Sequence, residues 1–79
     1  MKLLKIKTPR NLFNKKGAKI IGKFVSEDGS IVIQHLKHPL LGWDMGWDVL
    51  DGKSGKWIAS HTSCNIHTIA KIYGLEEAF

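Results

Sequence analysis

Apolar and polar positions alternate along most of the chain and change to a helical period only near its end. Leu3–Lys7 predicts a first strand, which Pro9 ends because proline has no amide hydrogen to give to a ladder. Arg10–Gly17 is a polar loop or short turn carrying Leu12 and Phe13. Ala18–Val25 predicts a second strand and Ile31–Gln34 a third, β-branched at Ile31, Val32 and Ile33. Between them Ser26-Glu27-Asp28-Gly29-Ser30 is a turn, with Asp-Gly supplying the positive φ, so the two segments form a hairpin.

After a connection broken by Pro39 comes an uneven tandem, Gly42-Trp43-Asp44 and Gly46-Trp47-Asp48. In a strand Trp43, Met45, Trp47 and Val49 share one face, and Asp44, Gly46, Asp48 and Leu50 the other. Asp51–Gly55 predicts the turn of a second hairpin, and Lys56–Ser60 pairs back with Trp57 and Ile58. Ile66, Ile69, Ala70 and Tyr73 then recur at helical spacing. Thr62 or Ser63 is the expected cap, and Gly74 stands where a glycine ends a helix. Leu75–Phe79 is expected as one more turn or an apolar tail. The reading is α+β: one domain over residues 1–79, with an antiparallel sheet of four to five strands, two hairpins and one C-terminal helix packed on it. Trp43, Trp47 and Trp57 are expected as core beneath that helix; the alternative is an exposed aromatic platform that takes a protein hot spot or stacks bases.

Length limits the function. Seventy-nine residues hold one domain and leave no room for a Rossmann unit with a substrate domain, a barrel, a kinase or a triad hydrolase. No apolar run approaches the roughly 20 residues of a membrane span, so no membrane partner is expected. The start MKLLKIKTPR lacks the apolar stretch of a signal peptide, and the single cysteine, Cys64, allows no internal disulfide. Both features place the expectation in the cytoplasm. Gly52-Lys53-Ser54 imitates the end of a phosphate loop, but Trp47 stands where that motif needs a glycine. No enzyme is expected.

Charge is uneven. Of the net +5, Lys2, Lys5, Lys7, Arg10, Lys15, Lys16, Lys19 and Lys23 place eight positive groups in the first 23 residues with no acid among them. The other 56 residues carry four basic and seven acidic groups. The contact expected from this asymmetry uses Lys5, Lys7, Arg10, Lys15, Lys16, Lys19 and Lys23 against an anionic partner, either an acidic protein face or nucleic acid. The plainer alternative is a solubilising face.

The candidate metal chemistry lies in histidine and cysteine. His35 and His38 are separated by two residues, as are His61 and Cys64, and His67 follows at the same interval. Zinc takes four tetrahedral nitrogen or sulfur ligands, commonly from two close pairs. A chain this small often needs a staple. The expectation is a structural zinc held by four of His35, His38, His61, Cys64 and His67, with the first four favoured because His67 falls toward the flank of the helix. Ordinary surface or capping histidines beside a buried cysteine are the alternative.

Small size, a lysine- and isoleucine-rich composition, the order strand, hairpin, hairpin, helix, and the absence of catalytic motifs have a parallel. In these features the chain resembles the small phage and mobile-element proteins that inhibit host defence, anti-CRISPR proteins in particular. The resemblance implies a non-enzymatic inhibitor that holds a CRISPR-associated effector nuclease, such as a type II effector, by direct protein contact in the host cytoplasm. Many of that class are acidic mimics of DNA, a route that the basic charge here opposes; a few are stapled by zinc. The alternative is a small basic nucleic-acid-binding regulator using the same lysines on phosphate.

Overall fold

The computed structural model describes Met1–Phe79. Its elements in chain order are β1 (Lys2–Ile6), β2 (Lys19–Ser26), β3 (Ile31–Lys37), β4 (Asp44–Asp51), β5 (Trp57–His61), α1 (Ile66–Ile72) and β6 (Glu76–Glu77). They build one six-stranded sheet in the order β5-β4-β3-β2-β1-β6. Neighbours are antiparallel except β6, which runs parallel to β1. Both expected hairpins are present, and the α+β class holds.

The turns are built by short polar side chains. Asp28 accepts from the Ser30 amide at 3.0 Å, the Ser30 hydroxyl at 2.7 Å and the Ser26 hydroxyl at 2.9 Å, while Gly29 takes φ 76°. Asp51 does the same for the second hairpin, accepting from the Lys53 amide at 2.8 Å. The two turns also touch: the Gly52 amide donates to the Ser30 carbonyl at 2.8 Å. A Cβ on Gly52 would overlap the Gly29 carbonyl, so the approach requires glycine there.

α1 covers one face of the sheet. Ile69 and Ala70 are buried against Leu3, Phe24, Ile33, Trp47 and Val49, with Ile66 and Tyr73 partly buried at the margin. The cap is Asn65, not Thr62 or Ser63; its side chain accepts from the Thr68 amide at 3.0 Å. Gly74, at φ 65°, ends the helix as expected. The Gly74 amide reaches the Lys71 carbonyl at 3.1 Å and the Leu75 amide reaches that of Ala70 at 2.8 Å, which satisfies two helix-end carbonyls.

Three features correct the sequence reading. First, the chain beyond Gly74 is neither helix nor loose tail. Leu75 is buried, and the Glu76 and Ala78 amides donate to the Met1 and Leu3 carbonyls at 2.9 and 3.0 Å. This two-residue strand of glutamates adds a sixth, parallel member and blunts the edge of β1. It carries no alternation, and glutamate is a poor strand former.

Second, Trp57 leaves the helix side. Val49 pairs with Ala59 but Leu50 with Trp57, so Ile58 is an extra, bulged residue. In unbroken alternation Trp57 would share the side of Ala59 and Val49; the bulge moves it to the side of Leu50, where it is 59% exposed. Third, Leu36 pairs with Gly46 but Lys37 with Asp44, which makes Met45 a second bulge, next to Gly46 at φ 86°. Met45 and Trp43 are turned to solvent, and Trp47 alone of the three tryptophans enters the core.

Candidate binding groove

The face opposite α1 is only partly covered. Residues 12–14 fold back on residues 18–20: the Asn14 amide donates to the Ala18 carbonyl and the Ile20 amide to that of Leu12, both at 2.8 Å. The Asn14 side chain accepts from the Lys16 and Ala18 amides at 3.0 and 2.8 Å, and Gly17 closes the turn at φ 85°. The resulting lobe places Leu12 over a second, small apolar cluster of Ala18, Ile20 and Leu36. Lys15 and Lys16 lie at its tip.

Between this lobe and β5 lies a groove of about 710 Å³. Its floor includes Lys23 from β2, Gln34 from β3, and Asp48 and Leu50 from β4. They alternate along their strands with the core residues Phe24, Ile33 and Val49, which places them on the helix-free side. One wall is Phe13, Lys15 and Lys16; the other is Lys56 and Trp57. The Trp57 indole N–H donates to the Ser60 hydroxyl at 3.0 Å, which donates to Asp48 at 2.7 Å. This relay fixes an exposed aromatic ring in place, so less side-chain freedom is lost when a ligand covers it.

The basic residues expected at a contact divide. Lys15, Lys16 and Lys23 line the groove. Lys5 stands opposite Phe24 on the helix side of β1, and Lys7 and Arg10 are exposed beyond β1. Lys19 lies beside Lys37 in the register of β2 and β3. Sequence reasoning missed Lys56 and Gln34. Lys56 sits directly before Trp57, and the bulge that brings Trp57 to this face has no signature in the alternation.

The five candidate metal ligands are engaged separately. His35 Nε2 is 2.8 Å from Asp44 Oδ2, and its ring lies on Trp47. The Gly46 amide and then His35 hold the Asp44 carboxyl below its ordinary range. His38 Nδ1 accepts from the Leu40 and Leu41 amides at 3.2 and 3.0 Å. His61 Nε2 meets the Tyr73 hydroxyl at 3.1 Å, and His67 pairs with Glu77. Cys64 is half-buried, and its carbonyl accepts from the Trp47 indole at 3.0 Å. No three histidine, cysteine or carboxylate side chains gather around a common point.

The groove therefore combines four ammonium groups, a single carboxylate and aromatic side chains on both walls, and its lining includes neither histidine nor cysteine. No protein family, curated protein sequence or solved structure matches this chain.

Proposed function

We propose that this chain is a small non-enzymatic binding protein that holds a partner protein through the helix-free groove. The observation that carries the reading is the composition of that groove: Lys15, Lys16, Lys23 and Lys56 stand among three apolar side chains, Phe13 on one wall, Trp57 on the other and Leu50 in the floor. An acidic polypeptide segment fits this surface. Its carboxylates meet the lysines, an apolar side chain lies against Trp57, and a backbone or side-chain N–H meets Asp48. The partner implied by the resemblance to anti-CRISPR proteins is a CRISPR-associated effector nuclease, and the contact would act as an inhibitor by occupying one of its acidic faces.

A nucleic-acid strand is the second reading, favoured by the exposed rings of Phe13 and Trp57 beside lysines. Asp48 in the floor opposes it, because a carboxylate repels phosphate.

One experiment separates the two. Binding is measured by fluorescence anisotropy for an acidic, leucine-containing peptide and for a single-stranded oligonucleotide, across a range of salt. A variant carrying Lys15→Glu, Lys16→Glu and Lys56→Glu is the control. The protein reading expects tighter binding of the peptide, with a shallow salt dependence and loss in the variant. A steep salt slope on the oligonucleotide, near 0.7 log units per decade for each phosphate met, would establish the regulator instead. A variant that still binds peptide would place the contact elsewhere. The inhibitor step is checked by DNA cleavage with a purified type II effector, which the wild-type protein should suppress and the variant should not.

A further inference from the structure

The connection between β3 and β4, His38 to Trp43, presents its apolar side chains outward on a braced backbone. The His38 amide donates to the Trp43 carbonyl at 2.9 Å and the Gly42 amide to that of His38 at 3.0 Å. The His38 ring takes the Leu40 and Leu41 amides on Nδ1 and stands edge-to-face with Trp43, with ring centroids 5.3 Å apart. Exposure declines from the tip toward the strand: Leu40 89%, Leu41 63%, Trp43 59%, Met45 41%. None of the loop residues lines the groove.

Behind this tip stand two cations. Lys19 and Lys37 are direct register partners on β2 and β3, a like-charge pairing that is unfavourable in isolation. The Lys37 stem runs along Gly42. Residues 38–43 include no carboxylate, and Asp44 is already engaged by His35 and the Gly46 amide.

We propose that this loop docks on an anionic bilayer. Leu40 and Leu41 enter the acyl boundary, Trp43 lies at headgroup level, and Lys37 and Lys19 meet lipid phosphates. That order, aliphatic tip, indole, then ammonium, follows the polarity gradient of a membrane interface. A bilayer accepts a protruding loop without shape complementarity, whereas a protein hot spot needs a surrounding rim that excludes water. Such contact requires no spanning segment, and no helix here is long and apolar enough to cross a membrane.

The test is co-sedimentation with vesicles of phosphatidylglycerol and phosphatidylcholine in about equal parts, and with phosphatidylcholine alone. Wild-type protein should bind the mixed vesicles and show a blue-shifted tryptophan emission that Trp43→Phe removes. Leu40→Ser with Leu41→Ser should weaken binding about a hundredfold, since each leucine side chain taken out of water accounts for about tenfold. Lys19→Glu with Lys37→Glu should abolish the preference for anionic lipid. Both pairs are at the surface, and an unchanged melting temperature verifies the fold. Wild-type protein that stays in the supernatant overturns the proposal. So does equal binding of the double serine variant, which would be adsorption by charge alone.

Discussion

The His35 imidazole lies flat on the Trp47 indole, with ring centroids 4.0 Å apart and planes within 8° of parallel. The two residues are direct register partners on β3 and β4, and His35 Nε2 reaches Asp44. One pair thus joins the core beneath α1 to the start of β4. Trp47→Ala should cost about 3–5 kcal/mol, as for other large aromatic truncations in cores. His35→Ala should cost less. A double-mutant cycle on denaturant melts should return a coupling of about 0.5–1.5 kcal/mol. Additive single changes would mean that the stack is mere proximity.

Gly46 carries two constraints at once. Its φ is 86°, and a Cβ there would meet the His61 carbonyl and Thr62 Cα inside normal contact distance. Left-handed backbone costs a side chain about 1–2 kcal/mol, and a clash with fixed backbone about 1–3 more. Gly55, at φ 74°, has open space around it. Gly46→Ala is therefore expected to destabilise by about 2–5 kcal/mol and Gly55→Ala by about 1–2. Equal effects in thermal melts would show that the crowding at Gly46 relaxes freely.

The bulges at Met45 and Ile58 mark the limit of what alternation reveals. Ile69 is legible as core because it lies in an unbroken helical run, Val49 because it shares a strand face with Trp47, and the Asp-Gly turn is a local signal. Trp57 and Trp43 were misplaced because a single extra residue, Ile58 or Met45, inverts every side chain beyond it. The groove followed the same rule. Lys15 and Lys16 were visible as charge, but their meeting with Lys56 and Trp57 depends on the bulge and on the lobe folding back. β6 was invisible because its pairing comes from tertiary placement by Gly74 and Leu75, with no propensity of its own.

Acid should loosen the hairpin turns. Asp28 is held at about 2, against an ordinary 3.8, by the Ser30 hydroxyl first, then the Ser30 amide and Ser26. Asp51 and Asp44 are lowered as well, Asp51 chiefly by the Lys53 amide and Asp44 by that of Gly46. A carboxyl with a depressed folded pKa contributes stability in full above its unfolded value, and that contribution is lost as pH falls through the folded one. The melting temperature should accordingly fall between pH 4 and about 2, the window set by Asp28. Asp28→Asn keeps an acceptor and removes the titration, so its profile should be flatter over that interval. Identical slopes would assign the acid sensitivity to other groups.

Metal analysis addresses the paired histidine and cysteine spacing directly. A zinc ion on His35, His38, His61 and Cys64 must take His35 Nε2 from Asp44 and His61 Nε2 from Tyr73, or use the remaining ring nitrogens after both rings turn. It must also bring in His38, whose Nδ1 braces the β3–β4 loop. Those rearrangements oppose binding, and the expected outcome is protein without stoichiometric zinc and a melting temperature indifferent to chelator. Cys64→Ser then costs at most about 1–3 kcal/mol, the range for adding a poorly paired hydroxyl to a half-buried site. About one zinc per chain, with a transition that drops in chelator, would restore the ion as a staple, and Cys64→Ser would then cost far more because metal binding is coupled to folding. In that case the His61–Tyr73 contact should be absent from the loaded protein, a change that imidazole and tyrosine resonances would report.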